Sequence, residues 1–370
     1  MINILFFIES LSGGGAEKVL RDLVNAMDQT KFSVTVQTLY PEDAEKYLAP
    51  GIRYKYCYPA RSRFHNLRMR AEAALGLTYP LHIKDGYDIE AAYLECGSTK
   101  IMAGSTNRKA LKLAWVHCDL AKKALDAAKF VRETKRYYKK YDLAVCVSDD
   151  VRRSFTEMYG PAVEVRTVYN CYDDAEILRK ADMQAVETTE RAVVAIGRLT
   201  AQKGFDRLLR VWKRLSDEGI CCKLRILGEG ENRNMLEALI EENSLDGMVT
   251  LCGFQENPYP MLKNAALYVC SSRYEGFSTT VIESLILGTP VVTTDCTGMR
   301  EILGDSEYGL IADNTEESLY SAVKRMLAEP GLLEHYAERA EVRGRDFRCE
   351  TLVRETEAFF EEELQKKRRT

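Results

Sequence analysis

The strongest constraint on the fold is an alternation that runs through the chain twice. A short apolar run reads as a strand, a turn of Gly or small polar residues follows, and apolar residues then recur at helical spacing. In the first half the strand-like runs are 2–8, 32–39, 89–94, 111–116, 143–147 and 163–168. In the second half they are 193–196, 224–227, 249–252, 267–270 and 291–294. Helical patterns follow at 16–27, 61–84, 120–140, 204–217 and 231–243, and Asp149 is placed to cap a further helix. Strands alternating with helices at this period imply parallel sheets covered by helices on both faces. Such sheets bind ligands at the carboxyl ends of their strands.

The 370 residues favour two domains. Residues 170–190 are polar and acidic, with no strong apolar repeat, and read as the linker. The expected domains are therefore 1–172 and 190–346, followed by a helical tail over 347–370. With 46% hydrophobic and 29% charged residues, the chain has the composition of a soluble globular enzyme. No apolar run reaches the ~18 residues of a membrane span. Residues 1–8 have neither a basic n-region nor a small-residue cleavage site, so they read as a buried strand rather than a signal peptide. The eleven Cys form no Cys-x-x-Cys, which fits reduced thiols in a cytosol and argues against zinc. Charge is uneven: residues 1–170 carry 26 Lys and Arg against 20 Asp and Glu, and the remainder 26 against 36. Two readings of that asymmetry stand, a membrane or polyanion partner for the basic half or merely uneven solvated surfaces.

One stretch concentrates chemistry. Strand 267–270 runs into Ser271-Ser272-Arg273-Tyr274-Glu275-Gly276-Phe277-Ser278-Thr279-Thr280-Val281-Ile282-Glu283. A strand feeding a helix N-terminus presents unpaired N–H groups, which favour phosphate. Gly276 allows close backbone approach. Glu275 and Glu283 cannot hold phosphate, because like charges repel, but they can accept hydrogen bonds from hydroxyls. Phosphate flanked by hydroxyls describes a sugar nucleotide. Upstream, Gly197-Arg198-Leu199-Thr200-Ala201-Gln202-Lys203-Gly204 puts a guanidinium and an ammonium at another strand–helix junction, where they can neutralise a diphosphate and the charge on a leaving group.

Together, Glu-x7-Glu and Gly-Arg-Leu-x3-Lys-Gly resemble the donor site of the family 4 retaining glycosyltransferases, enzymes of the GT-B fold. Gly14-Gly15-Ala16-Glu17, after the first strand, extends the likeness over nearly the whole chain. The resemblance implies two Rossmann-like, doubly wound parallel-sheet domains facing a cleft, the first binding the acceptor and the second the donor, with the last helix packed back on the first domain. It implies that Arg198 and Lys203 hold the diphosphate and that Glu283 binds the ribose hydroxyls. Glu275 then meets the transferred sugar, and Gly14, Gly15, Gly228, Gly276, Phe277, Ser278, Thr279 and Thr280 line the donor. The usual family turn reads Gly-Phe-Gly or Gly-Leu-Pro, whereas Gly276-Phe277 here precedes Ser278-Thr279-Thr280. That departure bears on sugar choice. His117, at the end of strand 111–116, matches a family His that contacts the donor sugar or phosphate. Glu95 and Asp119 are further candidates on the acceptor side.

No Asp-x-Asp occurs, so a metal-free site is expected, in which Arg198, Lys203 and helix dipoles take the place of a divalent ion. The resemblance is greatest to enzymes of bacterial surface polysaccharides. The expected partners are a nucleotide-sugar, in the first place a UDP-sugar, and a glycan or polyprenyl-diphosphate-linked acceptor. The basic segment 120–140 and Arg61, Arg63, Arg68 and Arg70 would suit peripheral docking on anionic lipid at the inner membrane face. No nucleic-acid partner is expected. Two other functions are compatible with parts of the pattern, a sugar-nucleotide epimerase and a non-catalytic sugar-nucleotide-binding protein.

Overall fold

A computed structural model describes residues 1–84, 86–124, 126–183 and 192–369. By its internal contacts the chain divides into two units, 1–172 with 349–370, and 173–348.

The first unit holds seven strands: β1 (Ile2–Phe7), β2 (Phe32–Thr38), β3 (Arg53–Tyr56), β4 (Ile89–Ala92), β5 (Leu111–Val116), β6 (Leu143–Cys146) and β7 (Glu164–Thr167). All are parallel, in the order β3-β2-β1-β4-β5-β6-β7. The central strands are buried on both faces, which is why they read as nearly continuous apolar runs. The terminal helix Cys349–Arg369 lies on this sheet. Its Phe360 ring sits 6.0 Å from both Phe6 and Trp115 and is fully buried, which contributes roughly 2–3 kcal/mol. Cys171 and Cys349, at the two points where the chain leaves and re-enters this unit, bring their sulfurs to 2.6 Å.

The second unit holds β8 (Val193–Ile196), β9 (Leu224–Leu227), β10 (Val249–Leu251), β11 (Leu267–Cys270), β12 (Val291–Thr294) and β13 (Leu310–Ala312), again all parallel, in the order β10-β9-β8-β11-β12-β13. Helix Phe205–Asp217 covers one face with Leu208, Trp212 and Leu215, packed with Ile226, Val269 and Val323 into one core. In each unit the strand order reverses once, between β1 and β4 and between β8 and β11, and in open parallel sheets the loops leaving such strands are where ligands bind.

Several expectations need correction. The helical pattern over 61–84 is two helices, Arg63–Leu75 and Thr78–His82, because Gly76 ends the first in the left-handed conformation. The pattern over 120–140 is likewise two, Leu120–Lys123 and Ala127–Tyr138, with Asp126 capping the second. The residue that caps helix Asp149–Tyr159 is Ser148, whose hydroxyl accepts from the Val151 N–H; Asp149 is the first helical residue. The supposed linker contains a helix, Asp174–Ala181, which buries Ile177 and Ala181 and belongs to the second unit. The rest of that linker, 184–190, and the domain start assigned to residue 190 lie outside the described residues.

Candidate functional site

Two loops meet at the reversal point of the second unit. The first leaves β8 as Gly197-Arg198-Leu199-Thr200, passes a short turn of 3-10 helix, Ala201–Lys203, and enters helix Phe205–Asp217. The second leaves β11 as Ser271 and enters helix Thr279–Ile286. Backbone and side chains clasp them together. The Arg273 N–H donates to the Gln202 carbonyl (2.7 Å), the Gln202 amide to the Tyr274 carbonyl (3.0 Å), and the Ser271 hydroxyl to the Lys203 carbonyl (2.8 Å). Arg273 forks onto both carboxylate oxygens of Asp206 at 2.8 Å. Gly204 makes the approach possible: its φ is +64°, and a Cβ there would lie 2.2 Å from the Ser271 carbonyl oxygen.

The clasp sets up a polar centre. Lys203 Nζ donates to Glu275 Oε1 at 2.7 Å, and the Ser272 hydroxyl donates to the same oxygen at 2.5 Å. Both charged side chains are largely withdrawn from water, with 21% and 10% of their surface exposed. Burial would pull the Lys203 pKa down, but the Glu275 carboxylate outweighs it and holds the ammonium charged. Arg198, on the same β8 turn, is exposed, and its side chain holds no partner among the described residues. Helix Thr279–Ile286 begins at Ser278, whose side chain makes no capping bond, so its first-turn N–H groups keep their capacity for an anion. One turn further in, Glu283 is 6% exposed and accepts from the Tyr259 hydroxyl at 3.1 Å. The Thr279 and Thr280 side chains are half-buried at that helix start.

Two expected donor-lining residues are held in close packing. The Phe277 ring is buried against Phe347, centroids 6.3 Å apart. Gly228 lies behind the β8 turn: a Cβ there would lie 2.0 Å from the Gly197 carbonyl oxygen, so the residue is needed for the two loops to pack. Gly276 is also buried, and its carbonyl is approached by Gly298. Sequence reasoning missed Arg207. Its guanidinium is buried and donates to the Ser271 carbonyl (2.9 and 2.6 Å), the Ser272 carbonyl (2.6 Å) and Asn314 Oδ1 (2.7 Å).

The first unit has its own charged centre at its reversal point. Glu95, just after β4, accepts from Lys123 Nζ (3.0 Å), the Cys118 thiol (2.9 Å) and the His117 N–H (3.1 Å). Burial would raise its pKa, but Lys123 and the other donors bring it down to about 2. Burial lowers His117 to about 4 against the pull of Glu95, so the ring is neutral at pH 7, and its buried Nε2 has no hydrogen-bond partner among the described residues. Asp119 is occupied in capping: it accepts from the Ala121 N–H (3.0 Å) and the Ser154 hydroxyl (2.6 Å). Gly14 starts helix Gly15–Ala26 without a side-chain cap, and the Glu17 carboxylate folds back over it.

A pH dependence follows. His117 stays neutral in the folded state down to about pH 4, whereas in the unfolded chain it takes up a proton below about 6.5. Between those values the unfolded state binds the extra proton, so stability falls as pH drops. Urea unfolding at pH 5 is expected to give about 2 kcal/mol less stability than at pH 7, and His117→Gln should flatten that slope. Glu95, with its folded pKa depressed, loses its contribution only as pH falls from about 4.5 towards 2. An equal slope in His117→Gln would show that the histidine is not its source.

The fold and the site define a GT-B glycosyltransferase architecture. Alr3699/HepE of Anabaena, solved in complex with UDP and glucose, superposes with a TM-score of 0.77 over 98% of this chain and 100% of that one, at 16% identity, a likeness of fold. A family model described as Glycosyltransferase Family 4 matches residues 13–176, and one described as Glycosyl transferases group 1 matches residues 179–343. The chain belongs to the family 4 glycosyltransferases. The N-acetylgalactosamine-N,N'-diacetylbacillosaminyl-diphospho-undecaprenol 4-alpha-N-acetylgalactosaminyltransferase of Campylobacter jejuni is 36% identical over 182 residues, 49% of each chain. The lipopolysaccharide core biosynthesis glycosyltransferase LpsE of Rhizobium meliloti is 29% identical over 206 residues, 55% of this chain and 59% of its own. The chain spans about half the length of the curated relatives it matches.

Proposed function

We propose that the chain transfers a sugar from a UDP-sugar to a glycan acceptor carried on a lipid diphosphate, with retention of anomeric configuration and without a metal ion. The observation that carries the reading is the polar centre of the second unit. Cationic Arg198 and Lys203 and the uncapped start of helix Thr279–Ile286 surround a site also supplied with Glu275 and buried Glu283. Cations and backbone N–H groups suit the diphosphate, and they suit it better as charge builds on the departing oxygen. That supports departure without a divalent ion. Glu283 accepts from ribose hydroxyls and Glu275 from the transferred sugar. His117, neutral at pH 7, offers a ring lone pair to a sugar hydroxyl. The acceptor hydroxyl attacks on the face the diphosphate leaves, which retains configuration. A UDP donor is supported by the nucleotide in the Anabaena structure, and a lipid-diphosphate acceptor by the name of the Campylobacter relative. The second unit holds the donor and the first the acceptor.

The test is a thermal-shift series with UDP, GDP and ADP and their sugars, with and without EDTA. A ligand that binds only the folded state raises its melting temperature. The UDP series should do so, unchanged by EDTA. Arg198→Ala should abolish the shift while leaving the unliganded melting temperature in place, because that side chain is exposed and holds no partner among the described residues. Glu283→Gln should abolish it as well. A shift confined to GDP or ADP would reject the donor, and sensitivity to EDTA the metal-free reading. The anomeric configuration of the product, read by NMR, tests retention.

A further inference from the structure

Helix Arg63–Leu75 is turned inside out. A surface helix normally buries its apolar stripe and shows its polar face to water. Here Phe64, Leu67 and Leu75 are 69%, 71% and 72% exposed. With Ala71 they stand at spacings of three, four and four, one continuous stripe on the solvent side. Leu77 and Leu81, just beyond the Gly76 turn, are exposed too. The inward side is polar. Glu72 is buried and accepts from the Tyr58 hydroxyl (2.6 Å) and Arg68 Nε (2.5 Å), with His82 Nε2 at 2.8 Å. Asn66 Oδ1 accepts from the Tyr40 hydroxyl at 2.6 Å, and the His65 ring lies beside Tyr58. A hydrogen-bonded network therefore fixes the helix in place and leaves its apolar side exposed.

Within residues 61–84 the exposed charge is of one sign. Arg61, Arg63 and Arg70 are exposed beside it, Arg68 is tied to Glu72, and Glu72 is the only acidic residue between 61 and 84. Exposed Phe and Leu flanked by Arg, with no exposed carboxylate in the segment, is the composition of a helix lying in the interface of an anionic bilayer. The other basic segment lacks this feature. Helix Ala127–Tyr138 exposes Lys129, Arg132 and Arg136, but Phe130 and Tyr137 are half-buried and Tyr138 packs on Phe155 and Tyr159. It can add attraction but has no apolar side chain free to enter lipid.

We propose that residues 63–81 form a lipid-inserting anchor, in which Phe64, Leu67, Leu75, Leu77 and Leu81 enter the headgroup–acyl boundary of an anionic membrane and Arg61, Arg63 and Arg70 meet its headgroups. The inference deepens the proposed transfer to a lipid-linked acceptor, since an acceptor on a lipid would be met at that surface, but the anchoring can be tested without any transfer assay.

The test uses the full chain and vesicles of phosphatidylcholine with and without phosphatidylglycerol. Both native tryptophans, Trp115 and Trp212, are buried at 1% exposure, so a Phe64→Trp variant reports its own surroundings. Its emission should shift to the blue on anionic vesicles and be quenched by lipids brominated high on the acyl chain. Phe64→Asp with Leu67→Asp should weaken co-sedimentation with anionic vesicles at least about tenfold, which is ~1.4 kcal/mol. The same variant should keep the wild-type melting temperature and its transfer to a water-soluble acceptor. Vesicle binding that survives the double substitution, or a Phe64→Trp reporter that stays unshifted and unquenched on bound protein, overturns the proposal. So does a concentration-dependent dimer that the double substitution abolishes, with no vesicle binding in the wild type, because the stripe would then be covered by a second copy. If vesicle binding behaves as expected but no sugar is transferred to any acceptor, the anchor stands and the reading of the second unit fails.

Discussion

Replacing Lys203 with Met is expected to lower the rate of sugar transfer by about 10²–10³-fold, the range measured when one preorganised donor to a developing anion is removed. The ammonium sits 2.7 Å from Glu275 at the loop junction, held charged there by that carboxylate although burial works against it. It has three N–H donors, so it can keep Glu275 and still meet a phosphate oxygen. A second role must be separated from the first. Without Lys203, Glu275 keeps the Ser272 hydroxyl as its donor among the described residues and becomes a largely buried charge with no cation paired to it, which destabilises the domain. The loss is smaller than for a fully buried pair, because about a fifth of the Lys203 side chain still meets water. The double variant Lys203→Met, Glu275→Gln removes both charges and should recover most of the lost stability while transfer stays down. A cycle of the four proteins, measured for unfolding free energy and for single-turnover rate, resolves the two contributions. If the double variant recovers the rate together with stability, Lys203 holds the loops and does not act on the departing phosphate.

How much of this was legible in the sequence depends on burial. The strands β5, β8, β9, β11 and β12 coincide with their apolar runs, because a strand covered on both faces is mostly apolar along its length. The edge strand β3 was invisible: Arg53-Tyr54-Lys55-Tyr56 is half in water and forms no apolar run. The three residues of β13 were too few to make a pattern. The helix breaks at Gly76 and before Ala127 were missed because helical spacing carries across a short interruption without changing phase. At the site, Glu275, Glu283, Arg198 and Lys203 stood out by their place after strands. Tyr259 did not, since it meets Glu283 from the short helix Tyr259–Lys263, 24 residues away in the chain. The inverted face of helix Arg63–Leu75 could not be read either. Its arginines were visible, but which side of the helix met water was decided by Tyr40, Tyr58 and His82, all outside it.

Arg207 shows the same limit most clearly, and its removal is the second large effect expected. In the sequence it is one cation in a helix with several, three residues after Gly204. In the structure it stands on the apolar side with Phe205, Leu208 and Trp212, and its fork takes up the carbonyls of Ser271 and Ser272 where β11 ends. Burial lowers its pKa, yet it remains the donor on which the Ser271 carbonyl depends, whereas the Ser272 carbonyl also accepts from the Thr294 hydroxyl (2.5 Å) and the Cys296 thiol (3.0 Å). Arg207→Met would fill the space and leave the Ser271 carbonyl buried without either of its guanidinium bonds, while the Ser272 carbonyl would keep its other two donors. At about 1–3 kcal/mol for an unsatisfied group, a loss of roughly 1–3 kcal/mol is expected by urea unfolding. Ser272 also supplies the hydroxyl that holds Glu275, so the residual folded protein should bind a UDP-sugar at least about tenfold more weakly. Arg207→Lys keeps the charge but cannot reach two carbonyls and Asn314 at once, and should recover only part of either loss. Full recovery by Lys would mean that the site needs a positive charge there and not a planar fork. A loss under 1 kcal/mol in Arg207→Met would mean that the clasp between the two loops holds without it.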